Sequence, residues 1–400
     1  MARTRKTLPA RVDVAHLISA GVLASVCPRA LIEEVLAATG KASQRERLLP
    51  APAVVYYVMA LALWREAPLE EVLRVVCEGL QWLGGGQAGA VQASKSAISQ
   101  ARSRLGSQAM RMLAERVLRP LAVEGAPGAW YNGLRVMALD GSSMDVADEK
   151  ANAEFFGYPK ATRGQSAFPQ ARLLGLVECG THAVVAAAIA PYACSERAMA
   201  AELLPAKLKP GMLVLADRGF YGFKLWRTAC LTQARLLWRV KANLGLPVEQ
   251  LLDDGSYLST VFDSEDDRAR RDGQVVRVID YRLEGSATPG EDSYRLVTNL
   301  LDPQSAPALE LAALYHERWE IESVFDEFKT HLRANSTVLR SKTPDLVKQE
   351  LWGLLLAHFA IRQLMVQAAY PRAIDPDRLS FVHAVRVIKR KLPQAAAIPP

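Results

Sequence analysis

Apolar positions recur at helical spacing through residues 13–126. His16–Ala24 and Arg29–Ala38 read as short amphipathic pieces, and Ala53–Trp64 as a strongly apolar, buried helix. Pro68 sits where a further helix begins, and Leu69, Val72, Leu73, Val76 and Leu80 keep its apolar face. Gly84-Gly85-Gly86 and Gly89 interrupt the pattern. The stretch Ser94–Gly106 then predicts a short helix with a serine cap and a glycine stop. Its shape fits the second helix of a helix-turn-helix, with Lys95, Arg102 and Arg104 as candidate DNA contacts; it fits equally a packing helix that carries surface charge.

Near Ala126–Gly128 the period changes. Leu134–Asp140, Ala171–Val177, Ala183–Ile189, Met212–Asp217 and Arg235–Val240 predict strands, and Arg197–Leu208 and Phe223–Gln233 predict helices. Three early strands followed by strand–helix alternation imply a mixed α/β sheet. Residues 247–299 are strand-like, with turns at Asp253-Asp254-Gly255, Asp272-Gly273 and Thr288-Pro289-Gly290; the charge run Asp263–Arg271 reads as a solvated hairpin tip. After Pro303 the pattern is helical through Gln367, and a basic tail runs from Pro371.

Four hundred residues allow two or three domains with real cores. The formal net charge is +7, and residues 1–130 hold 16 Lys/Arg against 10 Asp/Glu, so most of the excess lies in the first third. That third is the better candidate for touching phosphates, although a solvated surface has the same composition. Five scattered cysteines (Cys27, Cys77, Cys179, Cys194, Cys230) show no zinc spacing and no disulfide framework, which fits a reduced, cytoplasmic setting. The longest uncharged runs, Leu48–Trp64 and Cys179–Ser195, have 17 residues each, short of the about 20 apolar residues of a membrane span.

Two of the predicted strands run apolar and end on an aspartate, Asp140 and Asp217. Were they parallel neighbours, their carboxylates would converge, and a divalent cation would relieve the repulsion. As single residues, both also suit strand-terminal turns, with Gly141 and Gly219 close behind. On a helical wheel started at Tyr315, Arg318 falls at roughly 300°, Glu322 at 340° and Lys329 at 320°, so the four share one face. Leu314, Ile321, Val324, Phe325, Phe328 and Leu332 form an apolar stripe beside it. Arg318 and Glu322 also suit an ordinary i,i+4 ion pair, and Asp326 is a competing carboxylate.

The run Tyr315-x2-Arg318-x3-Glu322-x6-Lys329 matches the YREK signature of bacterial transposases of the insertion element 4 type. Asp140-Gly141-Ser142 and Asp217-Arg218-Gly219-Phe220-Tyr221 resemble the contexts of the first two carboxylates of that family's DDE triad. The resemblance spans roughly residues 50–370 and implies an α/β protein with a ribonuclease-H-like catalytic core (129–246 and 301–370). A β-strand insertion (247–300) would interrupt that core, an all-helical N-terminal DNA-binding domain (1–128) precede it, and a basic C-terminal tail (371–400) follow it.

By the same resemblance Asp140, Asp217 and Glu322 would be catalytic ligands of two Mg2+ ions, with Mn2+ as a substitute. Tyr315, Arg318 and Lys329 would grip phosphates, an arginine fork suiting a phosphate especially well. The partners implied are double-stranded DNA, as terminal inverted repeats and target, and a second protomer in a synaptic complex. Some members cut the second strand through a hairpin, with a flipped base stacked on a tryptophan in a Trp-x3-Thr strand. Here the matching stretch is Tyr294–Thr298, a departure in which Tyr294 offers less stacking surface. Trp238 and Trp319 are either substitutes or packing residues. Two other readings are a DNA-binding regulator with a dead catalytic domain and a hydrolase that cuts without joining. An undamaged triad and signature count against the first; the flanking Arg and Lys and the separate basic domain count against the second.

Overall fold

The computed structural model describes residues 20–43, 49–83, 93–161, 164–263, 272–282, 293–332 and 338–394. Helices α1 (Ala20–Val26), α2 (Arg29–Ala38), α3 (Ala51–Leu63), α4 (Leu69–Leu83) and α5 (Lys95–Val117) come first. Next are β1 (Trp130–Tyr131), β2 (Leu134–Val146), α6 (Lys150–Phe156), the small pair β3 (Lys160–Ala161) and β4 (Gly164–Gln165), β5 (Gln170–Glu178) and β6 (Ala183–Pro191). Then α7 (Glu196–Lys207), β7 (Met212–Ala216), α8 (Phe223–Leu231) and β8 (Arg235–Val240) alternate, followed by β9 (Gln250–Leu251), β10 (Tyr257–Val261), β11 (Gln274–Arg282) and β12 (Ser293–Thr298). Helices α9 (Ala308–Tyr315), α10 (Glu320–Asp326), α11 (Pro344–Ala369) and α12 (Phe381–Gln394) complete the order. The glycine run at 84–86 and Gly89, the turn at 288–290, most of the Asp263–Arg271 run and the start of the His16–Ala24 piece lie outside the described residues.

The chain divides into two compact units. The helical unit comprises the residues up to Leu118 together with Glu327–Arg372 and the residues from Arg378 onward, so it is assembled from both ends of the sequence. Its centre is α11, against which α3 and α5 pack. Helix α3 is buried at every position from Val54 to Leu63, which is why it reads as apolar on all faces. Gly353 of α11 lets the two backbones touch: a Cβ there would fall 2.7 Å from the Val58 carbonyl oxygen. Helix α11 is long and apolar enough to cross a membrane, but 83% of its most apolar window is buried inside the unit.

Three expectations about this unit are corrected. Ser94 caps α5, its Oγ accepting from the Ala97 N–H at 3.2 Å, but Gly106 (φ 71°) kinks the helix without stopping it. The Ser107 N–H after the kink finds Asp345 Oδ1 at 3.1 Å, and the helix continues to Val117. Arg102, expected to face DNA, is buried instead: its guanidinium donates to Gln349 Oε1 (2.9 Å), Ser341 Oγ (2.9 Å) and the Leu346 carbonyl (3.2 Å). An arginine so bonded ties α5 to α11 and has no fork left for a phosphate. The basic stretch after Pro371 is not a free tail, because Phe381, Val385 and Ile388 form the buried stripe of amphipathic α12.

The second unit, Arg119–Asp326 with Ala373–Asp377, is built on one sheet. Its strands run β6-β5-β2-β7-β8-β12-β11-β10-β9, with β1 beside β2. Strand β2 is parallel to β7, and β7 to β8; β5 is antiparallel to β2 and β6. Met137, Leu139, Val214, Ala216, Leu236 and Trp238 pack on one face against Met199, Leu203 and Leu204 of α7 and Leu225, Trp226 and Ala229 of α8. Strand β2 outruns the expected Leu134–Asp140, since β5 keeps pairing with it as far as Asp145↔Gln170. The strand-rich segment after β8 is not a separate sheet: β12 pairs with β8 and extends the same one. Buried Arg277 anchors that extension through Ser256 Oγ (2.7 Å), the Ala306 carbonyl (2.6 Å) and Asp254.

The stretch expected as one helix around Glu322 is four pieces. Helix α9 tightens into a 3-10 turn at His316–Trp319, α10 follows, and a π turn, Glu327–His331, belongs to the helical unit. An overwound and an underwound turn interrupt the uniform helix, yet Arg318 still meets Glu322 at i,i+4 spacing.

Candidate active site

Parallel pairing of β2 with β7 ends at Leu139↔Ala216, so Asp140 and Asp217 are the next residues on adjacent strands. In sheets of this kind polar groups gather where parallel strands end. Asp140 shares the sheet face of Val136 and Ala138, opposite Met137 and Leu139, by strand alternation.

Arg318, in the 3-10 turn, is 8% exposed and joins the acids: Nη1 donates to Asp140 Oδ2 at 3.1 Å, and Nη2 lies 3.5 Å from Glu322 Oε1. Tyr315, also buried, aims its hydroxyl at Asp217 Oδ1 (3.5 Å) and the Ala216 carbonyl (3.4 Å). Thus Asp140, Asp217, Glu322, Tyr315 and Arg318 come together in one unit. Lys329 is an exposed residue of the π turn in the helical unit, as are Lys95 and Arg104 on α5.

Burial pushes the Asp140 carboxyl up to about 6; the Gly141 N–H and Arg318 pull the other way, and Glu196 and Asp217 add to the rise. Burial works against the charge on Arg318, but Tyr315, Asp140, Asp217 and Glu322 outweigh it and hold the guanidinium above its ordinary value. Burial raises the Tyr315 phenol well above the ordinary tyrosine range, so it stays a hydrogen-bond donor.

Several neighbours escaped sequence reasoning. Glu196, first residue of α7, lies over Gly141 so closely that a Cβ there would run into its carboxyl group, and Arg172 Nη1 holds it at 3.2 Å. Its only local signal is the Ser195 cap, whose Oγ accepts from the Ala198 N–H. Arg239 of β8 reaches Asp217 Oδ1 at 3.9 Å, and its guanidinium lies 4.2 Å from the Tyr294 ring centroid. Tyr281 of β11 stacks on Tyr294 at 5.3 Å. Strands β8 and β11 flank β12, so Tyr294 is covered from both sides and is a layer in a wall rather than an open platform for a base. Trp238 is a packing residue, fully buried edge-on against Trp226, whereas Trp319 is 58% exposed.

The donor set at this site, three carboxylates from three elements, is hard oxygen chemistry suited to Mg2+ or Mn2+. Among the described residues, the one His/carboxylate group with ligand atoms within 4.8 Å of one another is a different set, His182, Glu320 and Asp377. In that set His182 Nε2 lies 3.4 Å from Asp377 and 3.7 Å from Glu320.

Residues 17–115 match the family described as insertion element 4 transposase N-terminal, and residues 131–360 match the transposase DDE domain. The chain is 29% identical over 365 residues to the transposase InsG for insertion sequence element IS4 of Escherichia coli (strain K12), covering 90% of this chain and 80% of that protein. It is 29% identical over 211 residues to the putative transposase InsZ of the same organism, covering 52% of this chain and 67% of that one. A structure of the piggyBac transposase synaptic complex with hairpin DNA is similar at TM-score 0.43 and 10% identity, over 99% of this chain and 84% of that chain.

Proposed function

The chain belongs to the DDE transposases of the insertion element 4 family, enzymes of DNA cleavage and strand transfer with a ribonuclease-H-like α/β core, and from that premise we propose that it mobilises an insertion sequence by cut-and-paste, binding the terminal inverted repeats and using two metal ions. The observation that carries this reading is the convergence of Asp140, Asp217 and Glu322 through the β2–β7 register and the Arg318 bridge. In this reading the three carboxylates hold two Mg2+ or Mn2+ ions. Those ions supply the Lewis acidity that in-line phosphoryl transfer requires.

The protein's own groups do the rest. The Tyr315 hydroxyl orients Asp217. Arg318, already charged and buried beside the acids, offers its fork to a phosphate at the transposon end, where cationic charge acts strongly in a water-poor site. Lys329, exposed on the helical unit, remains a candidate phosphate contact through its point charge. Lys95 and Arg104, both exposed, remain candidates for end recognition on the helical unit, while Arg102 positions α5. The active assembly is a synaptic complex of two protomers on two ends, working on DNA in the bacterial cytoplasm. If second-strand cleavage uses a hairpin, Trp319 offers an open indole and Tyr294 does not.

The test is cleavage of labelled linear DNA carrying the element's own ends, by wild type and Asp140→Ala, with magnesium and with chelator. Wild type nicks at the end only with metal, and the variant binds the ends but loses cleavage by at least about 10³-fold, as expected when a metal ligand is removed. Binding by wild type without any cleavage in magnesium or manganese would instead favour a regulator.

A further inference from the structure

Arg318 sits where two of the proposed metal ligands face each other. Its fork spans Asp140 Oδ2 and Glu322 Oε1 at 3.1 and 3.5 Å. A cation ligated by those same carboxylates needs that space, so guanidinium and metal compete for it. The arginine is also incompletely bonded: buried Nε meets no acceptor among the described residues. A buried donor left unfilled favours a second arrangement that fills it, and a phosphate oxygen is an acceptor of the right charge and geometry.

We infer that Arg318 is a positioning residue with two stations, one clamping Asp140 to Glu322 and one on the DNA phosphate, so that metal loading and grip on the transposon end are coupled. The inference rests on the two-metal reading above. Its physical content is exchange: Arg318 would leave Asp140 and Glu322 when they hold a metal ion, and its capture by a phosphate would free both carboxylates to do so. Linkage then requires DNA to raise metal affinity by the same factor by which metal raises DNA affinity.

Two measurements on the full chain test it. Without DNA, Mn2+ binding is followed by the electron-spin signal of free Mn2+. Duplex carrying the terminal repeat is then titrated by fluorescence anisotropy in Ca2+ and in chelator, so that no chemistry intervenes. Wild type should bind the duplex about 5-fold or more tightly with Ca2+. Arg318→Gln should bind Mn2+ about 5-fold more tightly than wild type and lose the Ca2+ effect on DNA affinity.

Arg318→Lys keeps a cation between the acids and should bind Mn2+ within about 2-fold of wild type. A urea midpoint for each variant confirms that it is folded. If Arg318→Gln and Arg318→Lys, both folded, bind Mn2+ more weakly than wild type, the arginine merely props the ligands and the exchange is wrong. Asp140→Asn separates the two levels. Undiminished Mn2+ binding in that variant would overturn the carboxylate site itself, whereas its loss, together with an unchanged Arg318→Gln, would overturn only the exchange.

Discussion

Burial imposes a cost on the Asp140 carboxylate. Its folded carboxyl titrates near 6, against 3.8 for the free side chain, because burial and the nearby acids disfavour the charge. The folded state therefore holds the proton more tightly than the unfolded chain. The stabilisation this gives is full below about pH 4 and is lost as pH rises through about 6. In chelator, Asp140→Asn should then be more stable than wild type at pH 8 by about 1–3 kcal/mol and close to it at pH 4. Urea denaturation at the two pH values measures this, and equal stability at both would remove the strain assigned to the site. In the proposed two-metal reading, a carboxylate held in this way would trade stability for metal affinity, as functional sites commonly do. A Cβ at Gly141 would meet the far end of the Glu196 side chain, which would have to shift to admit it.

At the scale of elements, the segment from α9 to the π turn departs from a uniform helix. Tyr315 and Arg318 are buried and Glu322 is exposed, while Arg318 still reaches Glu322. The π turn brings buried Glu327 to His358 Nε2 (2.7 Å) and to the Arg362 guanidinium of α11 (Nε at 3.1 Å). Glu327→Ala removes the buried carboxylate that both of these side chains meet. Glu327→Ala should cost about 3–5 kcal/mol in a urea titration. Glu33→Ala, which removes an exposed pair with Arg29, should shift stability by no more than about 0.5 kcal/mol. Similar losses for the two would show that burial does not set the difference.

For the whole molecule, the helical unit draws on both ends of the chain, and the division between units falls at Leu118/Arg119 and at Asp326/Glu327. Helices α3 and α5 bury their apolar faces on α11, which begins about 280 and about 230 residues after they end. A fragment of residues 1–126 should therefore keep helical far-ultraviolet signal but lack near-ultraviolet structure and a cooperative transition. Adding residues 327–394 in trans should restore both. A sharp transition for the fragment alone would mean that α1–α5 form a core without α11. The same dependence says that assays of end binding belong on the full chain.

The sequence by itself carried what depends on local chemistry and short periods. Strand β8 matches its predicted bounds, the Ser94 cap is where Ser followed by a helical run implies it, and Asp140 and Asp217 stand out as the acids that close two apolar runs. The family signature added Tyr315, Arg318 and Glu322 as a set. Only the tertiary structure decided what those residues touch. Parallel register put Asp140 beside Asp217, a turn of unequal pitch swung Arg318 onto Asp140, and neighbouring strands closed Tyr294 between Arg239 and Tyr281. Arg102 and Arg104 look alike in sequence, two residues apart on one helix; α11 lies on one side of it, so one is a buried brace and the other faces solvent. The physical reason is one of range. Periodicity and capping act within a few residues and are written along the chain, whereas burial, charge crowding and the pairing of an arginine depend on segments hundreds of residues away.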